Sequence, residues 1–215
     1  LVGSEMCIRD SNSSGMPRCL EGARYYAQWA GAPYHVYGGR KGANDYADDI
    51  NTRSLMTNWL GGGSPYMPAL QGKKVPIELS LAVHSDAGYN KDGKTTWGSL
   101  AICTTNFNDG MLNSGISRMT SKDLAKALLK NLVSDLRQQY GEFSERYLWD
   151  RNYSETRLPE VPAAIIETLS HQSFPDMKIG QDPMGKFTIA RSLYKTILRY
   201  VCTNHGLPYL SLIHI

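Results

Sequence analysis

The 215-residue sequence predicts an α/β fold of three layers, α/β/α, built on a mostly parallel central sheet. Three observations carry this prediction. Two short apolar runs, Pro76-Ile-Glu-Leu-Ser-Leu-Ala-Val83 and Val161-Pro-Ala-Ala-Ile-Ile166, are bounded by Pro, Gly and Asp, as interior strands are. Leu124, Leu128, Leu129, Leu132, Val133 and Leu136 recur at helical spacing. Strand-like and helix-like segments alternate along the chain, which favours parallel pairing beneath helices.

In chain order, residues 17–30 read as a helix, with Pro17 at a first-turn position and Gly31 where a left-handed terminator belongs. Tyr25, Tyr26, Trp29 and Tyr34 fit core packing by their spacing, and a sugar-stacking platform is the other reading. A short strand is expected over residues 34–37, then a loop from Gly38 to Asp45 and a helix over residues 48–60 stopped by Gly61-Gly-Gly63. The Pro76–Val83 strand is expected to end at His84. A loop follows from Gly88 to Lys94, then a strand over residues 95–104. The leucine-rich helix runs from Ser121 to Gly141. Residues 146–157 are polar and aromatic and read as an active-site loop. The second apolar strand delivers Glu167. The last helix, residues 184–202, carries Phe187, Ala190, Leu193, Tyr194, Ile197, Leu198 and Val201 on one side.

Composition bounds the function. A net charge of +3 without a basic cluster gives no argument for nucleic acid. No apolar run approaches the length of a membrane span. Cys7, Cys19, Cys103 and Cys202 show no paired spacing, so isolated buried thiols are expected rather than a thiolate metal site. Leu1–Ser11 and Leu210–Ile215 resemble translated sequencing-adapter sequence. The expected domain is therefore 12–204, with 1–11 and 205–215 as non-native tails, and a first strand of the sheet missing. A monomer is expected.

Ligands of open α/β sheets gather outside the carboxyl ends of the strands. His84 and Glu167 sit at that position in the two apolar runs, which suggests a metal ligand and a general base sharing one cleft. By spacing alone a hydrogen-bonded core histidine is an equal reading of His84. Glu167 reads otherwise as a strand-end carboxylate paired with Arg53 or Arg157.

Val83-His84-Ser85-Asp86-Ala87 resembles the S-I-H-x-N-A segment of zinc-dependent N-acetylmuramoyl-L-alanine amidases, the family-3 cell-wall amidases. Pro162 to Asp176 is similar to that family's P-A-x-L-x-E-x-x-F-x-x-N-x-x-D segment. Asp49 to Asn58 resembles its L-x-x-R-x-x-x-A-N helix, and Ile189 to Tyr200 its closing helix. The likeness runs from Ser14 to Val201. It implies a phosphorylase/hydrolase-like fold and one zinc ion held by His, Glu and His, with a separate catalytic Glu. His84 matches one histidine ligand, Glu21 the glutamate ligand and Glu167 the catalytic residue. The family's G-H-G-G turn, which carries the other histidine, is absent from this sequence.

The implied activity is hydrolysis of the amide between N-acetylmuramic acid and L-alanine in peptidoglycan, in the periplasm or outside the cell. Arg53, Asp86, Glu155 and His171 are weaker candidates for contacts to substrate or to the zinc ligands. Asp86 replaces the family's Asn and would hydrogen-bond a ligand or simply stabilise its turn. A zinc carboxypeptidase-like amidohydrolase and a non-catalytic glycan-binding domain are the alternatives.

Overall fold

The computed structural model describes residues 22–209. The elements are α1 (Ala23–Trp29), α2 (Tyr34–Tyr37), α3 (Asp45–Gly61), β1 (Ser80–Asp86), β2 (Ser99–Cys103), α4 (Met119–Tyr140), β3 (Glu145–Asp150), α5 (Ser154–Arg157), β4 (Ala163–Ser170), α6 (Phe174–Gln181) and α7 (Pro183–Asn204). They fall into two compact units.

Of the described residues, one unit comprises Gly22–Leu81, Thr104–Ser121 and Asn152–Ala163. Its helical part packs α1, α2 and α3 around Ala27, Ala32 and Val36, with Leu55, Met56 and Trp59 against them. Residues 34–37, expected as a strand, form a helical turn instead. Pro33 fixes the entry, and Tyr34 and Tyr37, one turn apart, meet edge to face at 5.4 Å while only Val36 is buried. Tyr26, Trp29 and Tyr34 are exposed rather than part of this core, which Ala27, Ala32 and Val36 fill with Tyr37 and Trp59 against them. Farther along, buried Arg118 donates to Met111 O and Glu160 Oε1, pinning residues 111–118 to the segment before β4.

The other unit, Ala82–Cys103, Lys122–Arg151 and Ala164–Tyr209 of the described residues, holds most of the sheet, in the order β1-β4-β2-β3. β2 and β3 are parallel. Ser80 N–H donates to Pro162 O and His171 N–H to Asp86 O, so β1 and β4 also advance in the same sense. The central pair, β2 with β4, is antiparallel, with Leu100 opposite Glu167. The α/β expectation holds with that one reversal. Leu100, Ile102 and Ile165 form the sheet core with Ala82 and Trp149. On α4 every predicted apolar position is buried.

Three boundaries differ from expectation in ways that bear on function. β1 continues through Ser85 and Asp86, and β4 continues through Thr168, Leu169 and Ser170. Glu167 therefore stands inside its strand, not at its end. The extension is held by Ser99 Oγ–H donating to Thr168 O and by the His171–Asp86 bond. Residues 146–157, expected as a loop, supply strand β3 and helix α5. Arg, Tyr and Trp suit an edge strand because their polar ends reach solvent from an apolar stem. On α7 the predicted apolar side is only partly buried: Leu193 is inside, whereas Phe187 and Tyr194 face outward. Cys103 is buried, and desolvation pushes its thiol up to about 12; Cys202 is half-buried.

At the start of α7, Asp182 accepts from Met184 N–H at 3.0 Å and from Tyr140 Oη–H at 2.6 Å. The tyrosine bond, with the backbone bond, holds this carboxyl below the usual range. Burial, then the bond to Asp182, raises Tyr140 to about 12. A depressed carboxyl contributes stability above its unfolded pKa and loses it as pH falls through the folded value. Tyr140→Phe should therefore lower Tm at pH 7, and the gap to wild type should close below about pH 4. Thermal melts across pH test this; a gap of constant size from pH 7 to pH 2 sinks it.

Candidate active site

His84 and Glu167 come together. They stand on neighbouring strands β1 and β4, and His84 Nδ1 lies 3.7 Å from Glu167 Oε1. Both side chains are mostly enclosed, 21% and 13% exposed. Glu167 is the one residue of β4 that is not fully buried. A carboxylate at such a position needs a polar partner, since an isolated buried charge is costly. The 3.7 Å gap exceeds a direct hydrogen bond and lies within ion-pair distance. His84 is itself fixed through its backbone, whose carbonyl accepts from Thr168 Oγ–H at 3.0 Å.

The weaker candidates separate into different clusters. Asp86 shares the face of β1 that carries His84, because alternate strand residues point the same way. Among the described residues it does not meet another candidate ligand. Its Oδ1 accepts from Ala87 N–H at 2.8 Å, and its Oδ2 pairs with Arg146 and accepts from Trp97 Nε1–H at 3.4 Å. His171 Nδ1 bonds Ser85 Oγ at 3.1 Å, and Ser85 points to the opposite face of β1 from His84. Arg53 Nη1 and Glu155 Oε1 pair at 3.0 Å within the other unit, where α3 meets α5. Glu21 lies outside the described residues.

The donor chemistry fits zinc in kind: an imidazole with a carboxylate beside it is a usual combination. It does not fit in number. Among the described residues no three His, Cys, Asp or Glu side chains converge, whereas catalytic zinc takes about three protein ligands.

Sequence reasoning missed two residues that shape this region. Arg146 falls within the expected loop 146–157, yet it reaches Asp86 from strand β3. Asp176, the final residue of the segment 162–176, is fully buried and accepts from Trp97, Gly98 and Ser170 N–H groups and from Ser173 Oγ–H. Its place in the motif was a signal; its partners Trp97 and Gly98, nearly 80 residues away in sequence, were not.

No protein-family model and no curated protein matches the chain. Solved structures do. The N-acetylmuramoyl-L-alanine amidase of Clostridium difficile 630 aligns with a TM-score of 0.50 at 16% identity, over 74% of this chain and 69% of that one. The N-acetylmuramyl-L-alanine amidase of Mycobacterium smegmatis gives 0.50 at 17%, over 75% and 65%. The CwlD amidase of Clostridioides difficile, solved in complex with the GerS lipoprotein, gives 0.51 at 13%, over 84% and 81%. The chain thus shares the fold of these amidases.

Proposed function

We propose that this chain is a cell-wall amidase that hydrolyses the bond between N-acetylmuramic acid and L-alanine in peptidoglycan, with zinc as its cofactor. The observation that carries the reading is the His84–Glu167 pair on adjacent parallel strands, within a fold shared with solved amidases. Glu167 is the general base: its carboxylate takes the proton of the attacking water and returns it to the leaving amine. His84, with Glu21 and a further ligand, holds zinc. The ion, when bound, acidifies water and polarises the scissile carbonyl. Action is in the periplasm or outside the cell, where the polymer lies. Among the described residues no helix is long and apolar enough to cross a membrane.

Digestion of purified peptidoglycan tests the reading. The expected products are intact stem peptides with a free N-terminal L-alanine, lost on chelation and regained with zinc. His84→Ala and Glu21→Gln should each reduce zinc uptake. Stems shortened at their carboxyl ends would indicate a carboxypeptidase instead. Wall binding with no released stem would indicate a glycan-binding domain.

A further inference from the structure

Arg146 is held in a manner that leaves half of its guanidinium ready for a ligand. One Nη1 N–H goes to Asp86 and one Nη2 N–H to Tyr147 Oη at 3.4 Å. The guanidinium carries five N–H donors, so three remain. Its plane is fixed from two sides, 4.6 Å from the Trp97 ring centre and 5.2 Å from that of Tyr147. The Trp97 ring is fixed in turn: Gly88 lies so close that a Cβ there would come 2.7 Å from the indole. The side chain of Arg146 is 15% exposed, so it is sheltered without being sealed.

Its position is set by β1. Asp86 lies two residues past His84 on the same strand face, about 7 Å along the strand. The anchored guanidinium therefore sits beside a residue two strand positions beyond His84. A planar fork with a neutralised edge and an open edge recognises a second carboxylate in bidentate fashion. The Asp86 that departs from the resembled motif is what aims it.

We propose that Arg146 is a carboxylate-binding residue of the cleft. It selects stem peptides that carry a free carboxylate on the second residue, the one that follows the L-alanine, over stems in which that group is amidated. This rests on the amidase reading above and adds a specificity to it. Arg146 binds substrate and takes no part in the proton transfers.

The test is calorimetric titration of the full chain with two muramoyl-peptide fragments that differ only in whether that carboxyl is free or amidated. The free acid should bind wild type at least about tenfold more tightly. Arg146→Gln should bring the two affinities to parity by weakening the acid alone. Arg146→Lys, which keeps the charge and loses the fork, should cut the preference severalfold, and it decides the matter if the Gln variant does not fold. Equal affinities in wild type, binding of neither fragment, or a preference that survives both substitutions overturns the proposal. Stem release from whole wall is scored separately. Release without preference for the acid defeats only the Arg146 assignment, whereas absence of release defeats the amidase reading.

Discussion

Replacing Glu167 by Gln should reduce stem release by about 10²–10⁴-fold while zinc content and Tm stay at wild-type values. The substitution preserves size and hydrogen-bonding reach and removes only the capacity to take a proton. Glu167 is flanked along β4 by fully buried residues and faces Leu100 across the antiparallel pair, so backbone register offers nothing for the amide to disturb. If Glu167 were a plain partner for His84, Gln would lower stability and leave turnover in proportion to folded protein. Turnover at wild-type rate would end the assignment of Glu167 as base. Loss of zinc together with activity would instead make Glu167 a ligand. Kinetics, metal analysis and thermal melts on one preparation separate the three outcomes.

The meeting of His84 with Glu167 was legible where residue chemistry coincides with local pattern. His84 and Glu167 each follow an apolar run, and such runs become neighbouring strands because their side chains have nowhere else to be buried. The leucine spacing of α4 was legible for the same reason. What could not be read is pairing between distant segments. Asp86 with Arg146 and Arg53 with Glu155 depend on which strands and helices adjoin, and nothing within a short window encodes that. Strand β3 was hidden by its composition. Edge strands keep one side wet, so Glu-Arg-Tyr-Leu-Trp-Asp resembles a polar loop until its partner β2 is known. The turn at residues 34–37 failed from the opposite cause: four aromatic and aliphatic residues look like a strand, and the preceding Pro33 sets them into a helical turn.

Asp176 shows how the same segment builds the scaffold beneath the site, and its removal should produce the largest loss of stability in the unit that contains it. Its Oδ1 accepts from Trp97 N–H at 2.7 Å and Ser173 Oγ–H at 2.9 Å. Its Oδ2 accepts from Gly98 N–H at 3.0 Å and Ser170 N–H at 2.9 Å. Gly98 has φ +88°, and a Cβ there would meet Ser144 O at 2.0 Å, so only glycine fits this close approach. Asp176→Ala strands three backbone donors, two buried and one half-buried, each costing about 1–3 kcal/mol, for a total of about 3–5 kcal/mol after relaxation. For a chain of this length that is a Tm drop of about 10 °C. Asp176→Asn should recover only part of it, because one amide oxygen serves two donors while its NH₂ faces the others. Chemical denaturation checks both values. A loss under about 1 kcal/mol for the alanine variant would show that these bonds exchange freely with water. The contrast with Glu167 is the useful part: one carboxylate should cost activity and no stability, the other stability first and activity only through the unfolding of Trp97 and the end of β4.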